Sequence, residues 1–324
     1  MQLRLRGRLL EKIRSRTAEE LRAVVQETPA DTIYQIDADS EEIVVALLSE
    51  IASEVPFLLI AEGFSEGEAV PFPKGANPDE CLYRVILDPI DGTRMLMNDK
   101  RSAWTLAAAA PNKGEGARLA DIEIAVMTEL PTSKQYLAET IWASRGQGVG
   151  GWRENLTDGS RRAWRPTPSQ SDNLHHAFAQ FTKFFPGGRA SVCRLEEEIF
   201  REMGVFREQD RTRVFDDQYL STGGQIYELL AGHDLFQADI RAGLRRLPRS
   251  EGPPPGIAAH PYDLCVELIA REAGILITDL EGRPLDAPLD TTTDVDWIAY
   301  ANRRLYERMW PIVRRALERA GLTG

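Results

Sequence analysis

Residues 85–94 read VILDPIDGTR, and no other stretch limits the fold of this chain as strongly. Val85, Ile86 and Leu87 are typical of a buried strand, and they run directly into Asp88, Pro89, Ile90, Asp91, Gly92 and Thr93. An unpaired charge at the end of a buried strand is costly, so two acids kept three residues apart at a turn need a counterpart. Two readings are open. In one, the segment is a turn in which Asp91 bonds locally and Gly92 takes an unusual backbone angle. In the other, the acids bind a hard divalent cation, magnesium before calcium or zinc, because no zinc-type set of His or Cys accompanies them. Gly92 and Thr93 favour the second reading. Backbone N–H groups at the start of the short helix expected over TRMLMN, 93–98, make an anion site, and a cation site beside an anion site is a phosphatase layout.

The rest of the composition agrees with a protein that recruits cations. The formal net charge of −11 argues against non-specific nucleic-acid binding, which relies on Lys and Arg. At 43% hydrophobic and 27% charged residues the 324-residue chain is an ordinary globular sequence, long enough for about two domains. No run approaches the roughly 20 apolar residues of a membrane span. Cys81, Cys193 and Cys265 are odd in number and far apart, which indicates neither a disulfide framework nor a zinc site and makes a reducing cytoplasm the default. The basic, amphipathic N-terminus soon gains Glu11, Glu19 and Glu20 and reads as a surface helix, not a transit peptide.

Along the chain, residues 8–27 read as one helix, 31–37 as a short strand or extended entry, and 40–55 as a helix with Ile43, Leu47 and Ile51 on one side. FLLIAE (57–62) and YRVILD (83–88) are buried strands. WTLAAAA, DIEIAVMTEL and YLAETIWAS continue as strands with antiparallel hairpins, giving the first half an α+β character. Residues 152–168 look polar and irregular, and a boundary is placed near them, between an N-terminal α+β metal-binding subdomain (1–165) and a C-terminal α/β subdomain (166–324). A Thr222-Gly223-Gly224 turn opens an apolar helix. The arginine–proline segment 241–256 reads as a solvated loop, and 260–274 as a helix ended by Gly274 with Asp263 in its first turn.

Several familiar patterns fail on their surroundings. GFSEG (63–67) matches a nucleophile elbow at Ser65, but prolines follow where that elbow needs a helix. GQGVGG (146–151) lacks a βαβ context and reads as a glycine turn between strands. The Asp-x-Asp-Gly-Thr nucleophile motif of haloacid-dehalogenase-type phosphatases has one residue between its acids. Here there are two, which in an extended segment would point the second carboxylate to the other side. His175, His176, His233 and His260 do not pair at helix spacing.

DPIDGT (88–93) resembles the metal-binding signature of the inositol monophosphatase family, in the wider lithium-sensitive, magnesium-dependent phosphatase group that includes fructose-1,6-bisphosphatase. YDLCVELIAREAGILITDLEG (262–282) is similar to a second block of that family, with Tyr262 where a tryptophan is usual, and IAYANRRLYE (298–307) also matches. AEG (61–63) matches its acidic pair at Glu62 and departs from it at Gly63. The resemblance implies a layered α/β/α/β/α sandwich of the sugar-phosphatase type, with the site between two α/β subdomains. It further implies two or three magnesium ions, a small phosphorylated substrate and a cytoplasmic homodimer that binds neither nucleic acid nor membrane.

Carried over by residue, the resemblance implies that Glu62, Asp88 and the carbonyl of Ile90 hold one ion. Asp88 bridges to a second, completed by Asp91 and Asp263. Thr93 and an acid before a helix polarise the attacking water, and backbone N–H groups of Gly92 and Thr93 hold the phosphate. Asp37, with Glu41, fits that acid. Asp39 is a rival, but with Glu42 it resembles a cap for a helix beginning near Ser40. Asp263 also has a plain reading, an acid favoured by a helix N-terminus. On these roles Asp91→Asn should remove activity and leave the fold intact. Arg94, beside the phosphate turn, would add positive charge, and the arginines of RAGLRRLPR (241–249), if that loop folds over the site, would suit a second substrate phosphate. The competing reading is a non-catalytic phosphosugar-binding protein that keeps the fold.

Overall fold

The computed structural model describes residues 1–27, 32–64, 68–206, 213–247 and 255–324; Ser65 and residues 248–254 of the arginine–proline segment lie outside the described residues. The chain is mixed α+β. It opens with α1 (Gln2–Ser15), the short α2 (Ala18–Leu21) and an antiparallel pair, β1 (Val24–Glu27) with β2 (Thr32–Tyr34). One helix over 8–27 does not form, because Thr17 and Glu20 make a capping box. The Thr17 N–H and hydroxyl donate to the Glu20 carboxylate at 2.7 and 2.9 Å, and the Glu20 N–H donates back at 3.3 Å. A new helix therefore starts where the first would have continued, and β-branched Val24 and Val25 then turn the chain to strand.

Helix α3 (Gln35–Ala52) begins five residues before Ser40. It buries Ile43, Val44, Leu47 and Leu48, whereas Ile51 is 43% exposed, so its apolar stripe lies one step round from the expected one. The large sheet comprises β3 (Phe57–Ala61), β4 (Val70–Phe72) and β5 (Tyr83–Asp91), then, beyond the single turn α4 (Thr93–Leu96), β6 (Ala103–Pro111), β7 (Ile124–Leu130), β8 (Leu137–Ser144), β9 (Val149–Asn155) and β10 (Arg161–Ala163). Its order is β10-β9-β8-β7-β6-β5-β3-β4. The irregular region expected from residue 152 instead begins inside β9, and Gly146 and Gly148, both at positive φ, form the turn that leads into that strand.

The second half supplies β11 (Ala177–Phe181), α5 (Arg189–Glu202), β12 (Val214–Phe215), α6 (Thr222–Leu230), β13 (Asp234–Asp239), α7 (Arg241–Arg246), α8 (Glu267–Glu272), β14 (Leu276–Thr278), β15 (Trp297–Tyr300) and α9 (Arg303–Arg319). Its five strands form a sheet in the order β12-β11-β13-β15-β14. Strand alternation divides the core. Leu59, Ala61 and Leu87 pack with α1 and α3. Ile60 and Ile86 belong instead to a cluster containing Ile226 and Leu229 of α6, Leu268 and Ile269 of α8 and Trp297 of the small sheet. Helices α5 and α9 pack on the small sheet through a separate cluster that includes Ile199, Phe236, Ile298 and Met309. The two sheets are thus joined through α6 and α8, whose loops build the site. Among the described residues no helix is long and apolar enough to cross a membrane.

Candidate active site

Strands β3 and β5 run parallel inside the large sheet, with Ala61 beside Leu87, so Glu62 and Asp88 lie together toward one end of these strands. The Glu62 N–H donates to the Leu87 carbonyl at 3.3 Å. Strand β5 does not stop at Asp88 but continues to Asp91 with one surplus residue: Asp88 pairs with Leu106 and Asp91 with Trp104. This bulge breaks the alternation that would send acids three residues apart to opposite faces. Pro89, which has no N–H to give the ladder, is its mark in the sequence.

Asp88, Asp91 and Asp263 each bring an oxygen within 4.8 Å of the others. Asp263 does not sit in the first turn of a long helix. Hydrogen bonds of i→i+3 type, Asp263 N–H to His260, Leu264 N–H to Pro261 and Glu267 N–H to Leu264, tighten residues 261–266 into turns, and α8 starts only at Glu267. The Asp263 carboxylate accepts the His260 N–H at 2.6 Å.

The DPIDGT segment is wired to itself. Asp88 Oδ1 accepts the Ile90 N–H at 2.9 Å, and Thr93 Oγ1 lies 2.9 Å from both the Ile90 carbonyl and Asp37 Oδ1, with one proton to give to either. Gly92 adopts φ +99°, and a Cβ there would lie 3.0 Å from Ser221 Cβ, so both backbone angle and close approach require glycine. Asp37 Oδ2 accepts the Tyr34 N–H at 2.9 Å, which caps α3. Asp39 caps nothing. It lies inside α3, buried, with Arg16 at 2.6 Å and Lys12 at 3.3 Å.

Asp91 has partners that its local sequence does not reveal. Its carboxylate accepts from the Ser221 hydroxyl at 2.9 Å, from the Thr222 N–H at 3.2 Å and from the Gly223 N–H, and so holds the start of α6. An amide at this position would turn an N–H₂ group toward donors, so Asp91→Asn is not a neutral probe of the fold.

Burial raises the Asp88 carboxyl well above the ordinary carboxylate value, and Glu62, Asp91 and Asp263 add like-charge repulsion. Burial likewise raises Asp263, with Asp91 second. Asp91 is pushed up to about 6 by burial, against the opposing hydrogen bonds from Ser221, Gly223 and Thr222. Three crowded carboxylates, Asp88 and Asp91 buried and Asp263 half-buried, offer only oxygen and fit a hard divalent cation, which would relieve both the repulsion and the desolvation. A stability prediction follows with a definite sign. Acids whose folded-state values are raised bind protons more tightly when folded, so in chelator the melting temperature should fall as pH rises from the ordinary carboxylate range, about 4, through 6 and above. Magnesium should flatten or reverse that slope. Thermal melts between pH 5 and 8 with chelator or magnesium check it, and identical slopes would count against a cation at these acids.

The cleft is lined by Glu62, Asp88, Ile90, Asp91, Gly92, Thr93 and Asp263, by Ser221 at the start of α6 and His260 just before Asp263, and also by residues that sequence reasoning missed or misplaced: Phe184, Phe185 and Arg241. Arg241 is not in a solvated loop. It is buried in α7, paired with Asp239 through Nε at 2.8 Å, donates to the Ile257 carbonyl, and lies over the Phe184 ring at 4.7 Å. The available signals were Asp239 two residues earlier and two adjacent phenylalanines before a Pro-Gly-Gly turn.

No family model and no curated protein matches the chain in sequence. Solved structures match almost end to end. The extragenic suppressor protein SuhB of Bartonella henselae is 20% identical, with a TM-score of 0.60 over 97% of this chain and 94% of its own. Leishmania major fructose-1,6-bisphosphatase in its holo form is 14% identical, with a TM-score of 0.64 over 95% and 90%. The Thermotoga maritima IMPase is 16% identical, with a TM-score of 0.58 over 98% and 95%. The expectation drawn from the two sequence blocks is met at the level of architecture: the chain has the fold shared by inositol monophosphatases and fructose-1,6-bisphosphatases.

Proposed function

We propose that the protein is a magnesium-dependent phosphomonoesterase that hydrolyses a small phosphorylated polyol, sugar or nucleotide. The observation that carries the reading is the convergence of Asp88, Asp91 and Asp263 within 4.8 Å, in one cleft with Glu62 and with Thr93, whose hydroxyl reaches Asp37 at 2.9 Å. Glu62, Asp88, Asp91, Asp263 and the Ile90 carbonyl would hold two or three magnesium ions. Bound there, the ions supply Lewis acidity toward the phosphoryl oxygens and the attacking and leaving oxygens.

The chain's own groups do the rest. Thr93 Oγ1, donating its proton to Asp37, presents a lone pair that orients the attacking water, and Asp37 favours movement of a proton away from it. The N–H groups of Gly92 and Thr93 stabilise charge on the phosphoryl oxygens, and burial of the cleft strengthens these contacts. The halves 1–165 and 166–324 are proposed as subdomains, which agrees with one sheet lying within 57–163 and the other within 177–300. Homodimeric assembly and cytoplasmic location carry over from the family resemblance and belong to the same proposal.

Phosphate release from a panel of inositol phosphates, sugar bisphosphates and 3′-phosphoadenosine 5′-phosphate tests the reading. Turnover with magnesium and none with excess chelator is expected. Undiminished turnover in chelator would overturn the metal-dependent reading, and inactivity with intact ligand binding would favour a non-catalytic binding protein.

A further inference from the structure

The cleft's polar groups outside the acidic cluster are largely committed to the protein. Ser221 Oγ donates to Asp91 and accepts the Gly224 N–H; the Arg241 guanidinium is engaged by Asp239 and the Ile257 carbonyl; the His260 imidazole pairs through Nδ1 with the Tyr262 hydroxyl at 3.3 Å; and the Arg94 guanidinium lies over the Tyr34 ring at 5.6 Å. The surfaces left for the organic half of a substrate are the half-buried rings of Phe184 and Phe185, with Ile257 and Ala258 beside them.

These rings sit in a built wall, not on a loose loop. The Arg189 side chain donates to the carbonyls of both Phe184 and Phe185 at 2.8 Å, which fixes the turn that carries them. Gly256 packs so closely under Phe185 that a Cβ there would lie 2.6 Å from Phe185 Cβ. The two rings meet edge to face at 4.9 Å. Two cations flank Phe185, Arg94 at 5.9 Å and Arg241 at 5.3 Å from its centroid.

Against such a wall a polyol would give up hydrogen bonds to water without replacing them, whereas a flat unsaturated ring would gain both burial and stacking. Resting on the phosphomonoesterase reading, we propose that Phe185, with Phe184, selects a substrate whose leaving alcohol carries a planar unsaturated ring, either a nucleoside or an aryl group.

The test measures kcat/KM with magnesium for adenosine 3′-monophosphate and phenyl phosphate against myo-inositol 1-phosphate and glycerol 2-phosphate. At least one ring-bearing ester should exceed both polyol esters by about tenfold or more, the gain expected of one stacked ring. Preference for the adenosine ester assigns a nucleoside, and preference for phenyl phosphate an aryl group. Phe185→Ala should shrink the ring-to-polyol ratio about tenfold, and Phe185→Trp should keep it. Should Phe185→Ala melt early, Phe185→Leu preserves bulk without the π face and should still lower the ratio severalfold. A wild-type ratio near one or inverted, or equal losses on all four esters in the variants, overturns the proposal. If folded, magnesium-loaded protein hydrolyses none of the four, its activity on the sugar bisphosphates and 3′-phosphoadenosine 5′-phosphate of the wider panel decides the phosphatase reading separately. Ligand-observed NMR with adenosine then decides for Phe185: binding lost in Phe185→Ala upholds the ring preference, and no binding to wild type refutes it.

Discussion

Asp88→Asn is expected to lose magnesium-dependent phosphate release by roughly 10³-fold or more, since a divalent ion held beside a reacting phosphoryl group stabilises the transition state by several kcal/mol. The same change should make the metal-free protein more stable. Asp88 is buried among like charges that raise its carboxyl well above the ordinary range, so ionising it in the folded state costs stability that an amide does not. In chelator at pH 8 the variant should melt above wild type, and the gain should fade as pH approaches about 4, where carboxyls are protonated in the unfolded chain too. With magnesium the order should invert. Activity assays and paired melts check both halves, and a variant that lost activity only by unfolding would show the opposite stability change. Asp88 suits this test better than Asp91 because the hydrogen bond it accepts from the Ile90 N–H lies within its own turn.

Thr93→Ala should lower kcat by about 10²-fold with a much smaller change in KM, the size usual for losing a positioned proton-transfer group. The hydroxyl is poised between Asp37 and the Ile90 carbonyl, and Thr93→Ser should restore most of the rate. Asp37→Asn should fall by a similar factor, with about 1 kcal/mol of stability lost as well, because Asp37 also caps α3. The double variant should cost little more than either single change, since groups that act as a unit are not additive. Asp39→Asn is the contrast. It should destabilise through its lost pairing with Arg16 and Lys12 and leave kcat in place. A kcat loss at residue 39 comparable to that at 37 would reverse the assignment.

Much of this arrangement is legible in the sequence because local chemistry dictates it. An apolar run ending in Asp-Pro-Ile-Asp-Gly-Thr announces a strand, an interruption and a tight turn, and the glycine at φ +99° is what that turn needs. Glu62 is legible for the same reason, standing one residue past a short apolar strand. What escaped was set by partners distant in sequence. The bulge between Asp88 and Asp91 is defined by register against β6, and Pro89 marks only where β5 is interrupted, not by how many residues. Arg241 reads as solvated until Asp239 and the two phenylalanines are placed around it. The break after Ser15 was readable in principle, since Thr17-Ala18-Glu19-Glu20 is a capping pattern, but the surrounding helical spacing concealed it.

Because Asp91 anchors the first turn of α6 from across the molecule, selection for mere foldability would preserve it in a descendant that had stopped turning over substrate. Its persistence is therefore poor testimony that a homologue still works. Loss of Asp88 or Asp263, whose carboxylates accept backbone N–H groups of their own loops, is the better sign of a retired enzyme, and surveys of divergent copies should weigh those two positions first.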